Sequence, residues 1–170
     1  MTLFKKGVVA KDEWKFPAAD APLPDGDIVV GRARFLAERD ALLARNSGLG
    51  VQLDPGESLD GIAEHLDRLS LIVLRIAKYS DGRPYSVARL LRDRHRYADE
   101  LRATGDVLRD QATLLARAGF DALDVTHPGT VEALKAGTIV SVHRHYQPAS
   151  AEATESREPG HPWRRRSPPG

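Results

Sequence analysis

The chain has 170 residues, with 25 Lys and Arg against 24 Asp and Glu, so its net charge of +1 points to no nucleic-acid partner. This length suits one hydrophobic core rather than two ordinary domains. No cysteine is present, which excludes disulfides, iron–sulfur ligation by the chain's own thiolates, a thiol nucleophile and a CxxC redox pair.

Leu3 to Phe16 holds short apolar runs around Lys11-Asp12-Glu13 and reads as a small hairpin or as an arm anchored by Trp14 and Phe16. Residues 1–27 are therefore an N-terminal arm or hairpin, with the Pro-, Asp- and Ala-rich stretch Ala18 to Asp27 as a connection. Lys5 and Lys6 precede only Val8, Val9 and Ala10, which is no signal-peptide core. The longest apolar run, Leu71 to Leu74, is far below membrane-spanning length. The expectation is a cytoplasmic protein with no membrane partner.

An α/β domain is expected over 28–146. Gly31 to Asn46 is helical in pattern, and Leu49 to Leu53 is a strand stopped by Asp54-Pro55-Gly56. Leu59, Ile62, Ala63, Leu66 and Leu69 recur at helical spacing, which predicts a helix over Ser58 to Arg68. Leu71 to Ile76 is apolar enough for a central parallel strand. Pro84 suits the first turn of the next helix. Glu100 to Thr104 is a strand, Asp106 a natural N-cap, and Val107 to Ala118 a helix stopped by Gly119. Ala122 to Val125, Thr130 to Lys135 and Thr138 to Val142 complete the series as strand, helix and strand. Such alternation predicts repeated βα units around a mainly parallel sheet, an open sheet in preference to a partial βα barrel. From Gln147 to Gly170, Pro, Ser, Glu and Arg predominate, so 147–170 reads as a disordered basic tail.

Parallel sheets gather ligands where strands end and loops enter the next helix. Two such loops are unusually polar: Lys78 to Tyr85, with Asp81, Gly82 and Arg83, and Arg102 to Asp106, with Gly105 and continuing to Arg109. The expected site comprises Lys78, Asp81, Gly82, Arg83, Tyr85, Arg102, Gly105, Asp106 and Arg109 as a ligand-binding or interaction surface. Arginine forks grip carboxylates, phosphates and sulfur oxyanions through paired hydrogen bonds, and the two Asp residues are placed to orient them. The bland reading stands beside this one: Asp106 as a cap, Asp81-Gly82 as a turn, and the arginines as solvated ion pairs. His143 and His145 share a strand face at metal-seating spacing, yet no acidic ligand lies near them and no metal is expected. No Walker loop, GxGxxG or GxSxG is present. No catalytic residue is identified.

The string Tyr79-Ser80-Asp81-Gly82-Arg83-Pro84-Tyr85-Ser86, Ala88 to Arg92, Glu100 to Gln111 and Arg117 to Ala122 resembles a bacterial family of unknown function. Its members are described as probable oxidoreductases involved in sulfite reduction and are encoded beside sulfite reductase. The resemblance implies a role in sulfite or sulfate assimilation, with sulfite reductase or its electron donor as partner. Sulfite reduction moves many electrons and needs a redox carrier. A chain without cysteine or a nucleotide fingerprint holds none of these by recognisable means, so no cofactor is expected. The expected function is an accessory one, exerted through the charged loops. The alternative is a small enzyme acting on a sulfur oxyanion or a phosphorylated metabolite.

Overall fold

Seven strands form one sheet in the order β2-β1-β7-β6-β5-β4-β3 in this computed structural model, which describes residues 1–138. They are β1 Thr2–Lys5, β2 Val8–Ala10, β3 Ile28–Gly31, β4 Leu49–Leu53, β5 Leu71–Ile76, β6 Glu100–Gly105 and β7 Ala122–Val125. Strands β3 to β7 are parallel, each beside its predecessor, whereas β1 runs antiparallel to β7 and β2 antiparallel to β1. The mixed α/β architecture and the mainly parallel open sheet are those expected from the alternation of patterns. The anticipated strand Thr138–Val142, His143, His145 and the 147–170 tail lie outside the described residues, save Thr138 itself.

Between the strands run α1 Arg32–Ala37, α2 Arg39–Leu43, α3 Arg83–Arg89 and α4 Ala112–Ala118, and α5 Pro128–Lys135 follows β7. They pack on one face of the sheet. Phe35, Leu42, Leu91, Leu115 and Leu134 from the helical layer join Val30, Val51, Ile72, Leu74, Ile76 and Leu101 in one core. One-sided helices follow from the strand order, because right-handed crossovers that always advance in the same direction return every helix to the same side. Pro84 lies in the first turn of α3 as its missing N–H predicts, and Gly119 closes α4 in the left-handed conformation, φ 105°.

Four local expectations are corrected. The hairpin turns at Lys6-Gly7, where both φ values are positive (49° and 83°), as a type I′ turn requires; Lys11-Asp12-Glu13 comes after it. Ile28–Gly31 is a strand that three apolar residues after a Pro- and Asp-rich stretch did not announce. The predicted helix over Ser58 to Arg68 shrinks to a 3-10 turn at Ala63–Arg68, because Gly61 takes φ +75° and breaks the backbone path. Its apolar stripe is still buried at Leu59, Ile62, Leu66 and Leu69. Asp106 does not cap a helix: Leu108 holds the N-cap position before the 3-10 turn Arg109–Gln111, which leads into α4.

The helix-free face is covered by the N-terminal segment. Trp14 packs on Val29, Leu71 and Val73, and Asp12 Oδ2 accepts a hydrogen bond from Arg102 Nη1 at 2.8 Å. Lys15 lies beyond β3, its N–H donating to Asp27 O at 3.0 Å and its carbonyl accepting from Val29 N at 2.8 Å. The chain thus passes from β2 at one edge to a position outside β3 at the other within five residues. Five residues reach at most about 18 Å. A flat sheet of this width would demand about 34 Å. The sheet is therefore curled around its helix-free face, with β2 and β3 unpaired to one another.

Candidate functional site

Parallel pairing brings the carboxyl ends of β4 to β7 to one edge, and the two loops singled out in the sequence meet there. Tyr79 N donates to Asp106 Oδ2 at 2.8 Å, Gln111 Nε2 donates to Tyr79 O at 2.6 Å, and Asp106 N donates to Ile76 O at 2.9 Å. Asp106 is thus the tie between the loops. Gly105, φ +96°, is required at this junction: a Cβ would collide with the Ile76 carbonyl oxygen. Gly82, by contrast, has φ −81° and open space where a Cβ would project.

Within the first loop, Arg83 grips Asp81 with Nε at 2.9 Å and Nη2 at 2.8 Å, while Arg83 N donates to Asp81 Oδ1 at 3.0 Å. These bonds from Arg83 hold the Asp81 carboxyl below the usual carboxylate range and raise the Arg83 guanidinium. Lys78 is exposed at the start of the loop, and Arg109 is exposed with its Nε 3.3 Å from the adjacent Asp110. The loops converge, but their guanidinium groups do not share one pocket.

Arg102 lies elsewhere. It sits inside β6, fully buried, and points to the helix-free face, where Asp12 and Glu100 neutralise it at 2.8 Å and 3.0 Å. It falls within the strand expected over Glu100 to Thr104, and its cross-strand partners Val73 and Ala122 hold it in the sheet rather than in the polar loop it was grouped with.

Beside the converged loops, a cleft of about 500 Å³ opens between the α3 and α4 regions. Tyr79, Ser80, Asp81, Gly82 and Tyr85 line one side, with Arg89; Gln111, Leu114, Arg117 and Ala118 line the other. Tyr79 is 63% exposed and Leu114 52%, large values for side chains of this size and the apolar part of the surface. Tyr85 stands edge-on to Phe120, centroids 6.4 Å apart. Its hydroxyl is buried without a hydrogen-bond partner, and burial pushes its pKa up to about 12. Tyr79, Gln111 and Leu114 were not among the sequence candidates. Leu114 belongs to the expected apolar stripe of its helix, and only the tertiary arrangement reveals that it faces solvent.

At the opposite end of α3, the helix widens into a π-turn at Leu90–Arg94. Arg92 turns inward there, donating to Gly119 O at 2.9 Å and Asp99 O at 3.0 Å, and also to Tyr97 O and the Asp121 carboxylate. This clamp holds the entry to β6 against the entry to β7, so the Arg89–Arg92 region is built for architecture at one end and borders the cleft at the other.

Among the described residues, no group of His, Cys, Asp or Glu is placed to hold a metal ion, and no helix is long and apolar enough to cross a membrane. No curated protein and no solved structure matches the chain. A family profile described as a bacterial protein of unknown function (DUF934) matches residues 50–156, from β4 through α5 and beyond. That match takes in both loops, the cleft and the Arg92 clamp, and it spans more than half of the chain: the protein belongs to this family.

Proposed function

We propose that this protein is an accessory factor of assimilatory sulfite reduction that docks a reductase component, sulfite reductase or its electron donor, through the cleft beside the converged loops. The carrying observation is the exposure of Tyr79 and Leu114 on facing sides of that cleft. Aromatic and aliphatic anchors surrounded by polar rim residues are the usual energetic centre of a protein interface. Lys78 is exposed beside it and favours a partner whose apolar anchor is flanked by a carboxylate, whereas Arg83 and Arg109 are already paired with Asp81 and Asp110. The link to sulfite reduction rests on the resemblance carried by the Tyr79 to Ala122 string.

A docking role suits the chemistry of the chain. Two loops tied by Asp106 present a preformed surface, which lowers the ordering cost of association. The test is co-purification with the reductase components and titration of the purified partners. Tyr79→Ala and Leu114→Ser each remove an anchor from solvent-facing positions, and each is expected to weaken binding by at least about 1 kcal/mol, roughly fivefold. Association that is equally strong in both variants overturns the assignment of the cleft. Unchanged sulfite reduction in cells lacking the protein overturns the role.

A further inference from the structure

The charged and amide side chains of the cleft between α3 and α4 are already committed within the protein. Asp81 is held by the guanidinium and the backbone N–H of Arg83. Gln111 uses both ends of its amide: Oε1 accepts from Leu108 N at 3.1 Å, and Nε2 donates to Tyr79 O at 2.6 Å. Arg89 and Arg117 are engaged as well.

What the walls leave to an occupant is mainly apolar. Tyr79 and Leu114, both more than half exposed, stand on opposite sides, and Ala118 joins Leu114. Tyr85 adds a second ring on the Tyr79 side. Its hydroxyl is buried, so the ring is the part of it that the cleft meets. Small-molecule sites fix their ligands through a few convergent polar groups. Hydroxyls apart, this cleft has committed its own to the loops that form it. An apolar group tethered to a larger body does without them, because the rest of that body supplies the orientation. The volume of about 500 Å³ leaves room for the largest side chains. Rings also gain from one another beyond the area they bury, as Tyr85 does edge-on to Phe120.

Building on the docking role proposed above, we infer that the cleft takes a single aromatic side chain projecting from the partner, with a carboxylate beside it for the exposed Lys78. The two tyrosine rings select an aromatic anchor over an aliphatic one of similar apolar area. Lys78 selects an acidic flank over a basic one.

The test uses isotope-labelled full-length protein titrated with blocked tripeptides and followed by amide chemical shifts. Glu-Phe-Glu is expected to give saturable shifts at Gly82, Gln111 and Ala118. Glu-Leu-Glu is expected to bind roughly fivefold more weakly, and Lys-Phe-Lys more weakly than Glu-Phe-Glu. Tyr79→Leu keeps an apolar wall but removes the ring, and is expected to weaken Glu-Phe-Glu binding by roughly fivefold, whereas Tyr79→Phe restores it. Tyr79 is exposed, so neither variant burdens the fold. Equal binding of the Phe and Leu peptides overturns the inference, as does the absence of saturable shifts at the cleft. Should Tyr79→Ala weaken association with the reductase component while Tyr79→Leu and Tyr79→Phe associate alike, the docking site stands and the aromatic anchor falls. Should Glu-Phe-Glu occupy the cleft while Tyr79→Ala leaves that association intact, the preference for a ring stands and the reductase falls as partner.

Discussion

Asp124 carries a stability consequence that follows from its burial. Its pKa is raised chiefly by desolvation, so the folded state holds the proton more tightly than the unfolded chain does. The stability linked to this proton is fully present below the ordinary carboxylate value and is lost as pH rises through the folded-state value. Asp124→Asn removes that titration. Urea midpoints measured from about pH 3 to about pH 8 are expected to fall less steeply with pH in the variant than in the wild type. An identical slope in the two proteins refutes the account. Glycines 82 and 105 make a second contrast at this scale. Gly105→Ala drives a methyl into the Ile76 carbonyl at positive φ and is expected to cost about 2 kcal/mol or more, read from the denaturation midpoint. Gly82→Ala meets open space at ordinary φ, and its expected change is within about 0.5 kcal/mol. Sequence identified both glycines as loop residues, yet only the approach of β5 shows which one is obligatory.

At the level of elements, legibility followed the strength of the local pattern. Leu71–Ile76 was readable because an almost wholly apolar run has few alternatives, and Gly119 because an αL stop is chemically distinctive. The segment around Leu59 to Leu69 was readable as buried but not as to its shape, since one glycine in the left-handed region outweighs a favourable stripe. Asp106 was readable as a polar junction, but its partner, Tyr79 N, lies 27 residues away, and no local rule names it. Arg102 shows the same limit: it was legible as a strand residue and was grouped with the polar loop as a ligand candidate, but its charge is met inside the fold by Asp12, 90 residues distant, which no local rule names. The candidate site was thus half legible. The loops and their convergence followed from the parallel sheet, while the cleft residues Tyr79, Gln111 and Leu114 depended on how α4 settles beside α3.

On the scale of the whole molecule, the N-terminal segment sets the curvature. β1 and β2 extend the parallel sheet by two antiparallel strands, and the chain then returns across the concave side to Lys15, held midway by Asp12 and Trp14. Severing the return path should act on the whole sheet rather than on one edge. The family match begins at residue 50, after this segment, so the part that bends the sheet precedes the part that bears the loops and the cleft.

That segment works as a drawstring. Five residues span a gap that flat strands would hold nearly twice as far apart. A single backbone cut between Lys11 and Glu13 releases the tension while leaving every strand in place. The nicked protein is expected to keep its far-ultraviolet circular dichroism, to expand in small-angle scattering, and to shift its Trp14 emission to the red. A cut chain with unchanged dimensions would mean that the helical layer alone holds the bow.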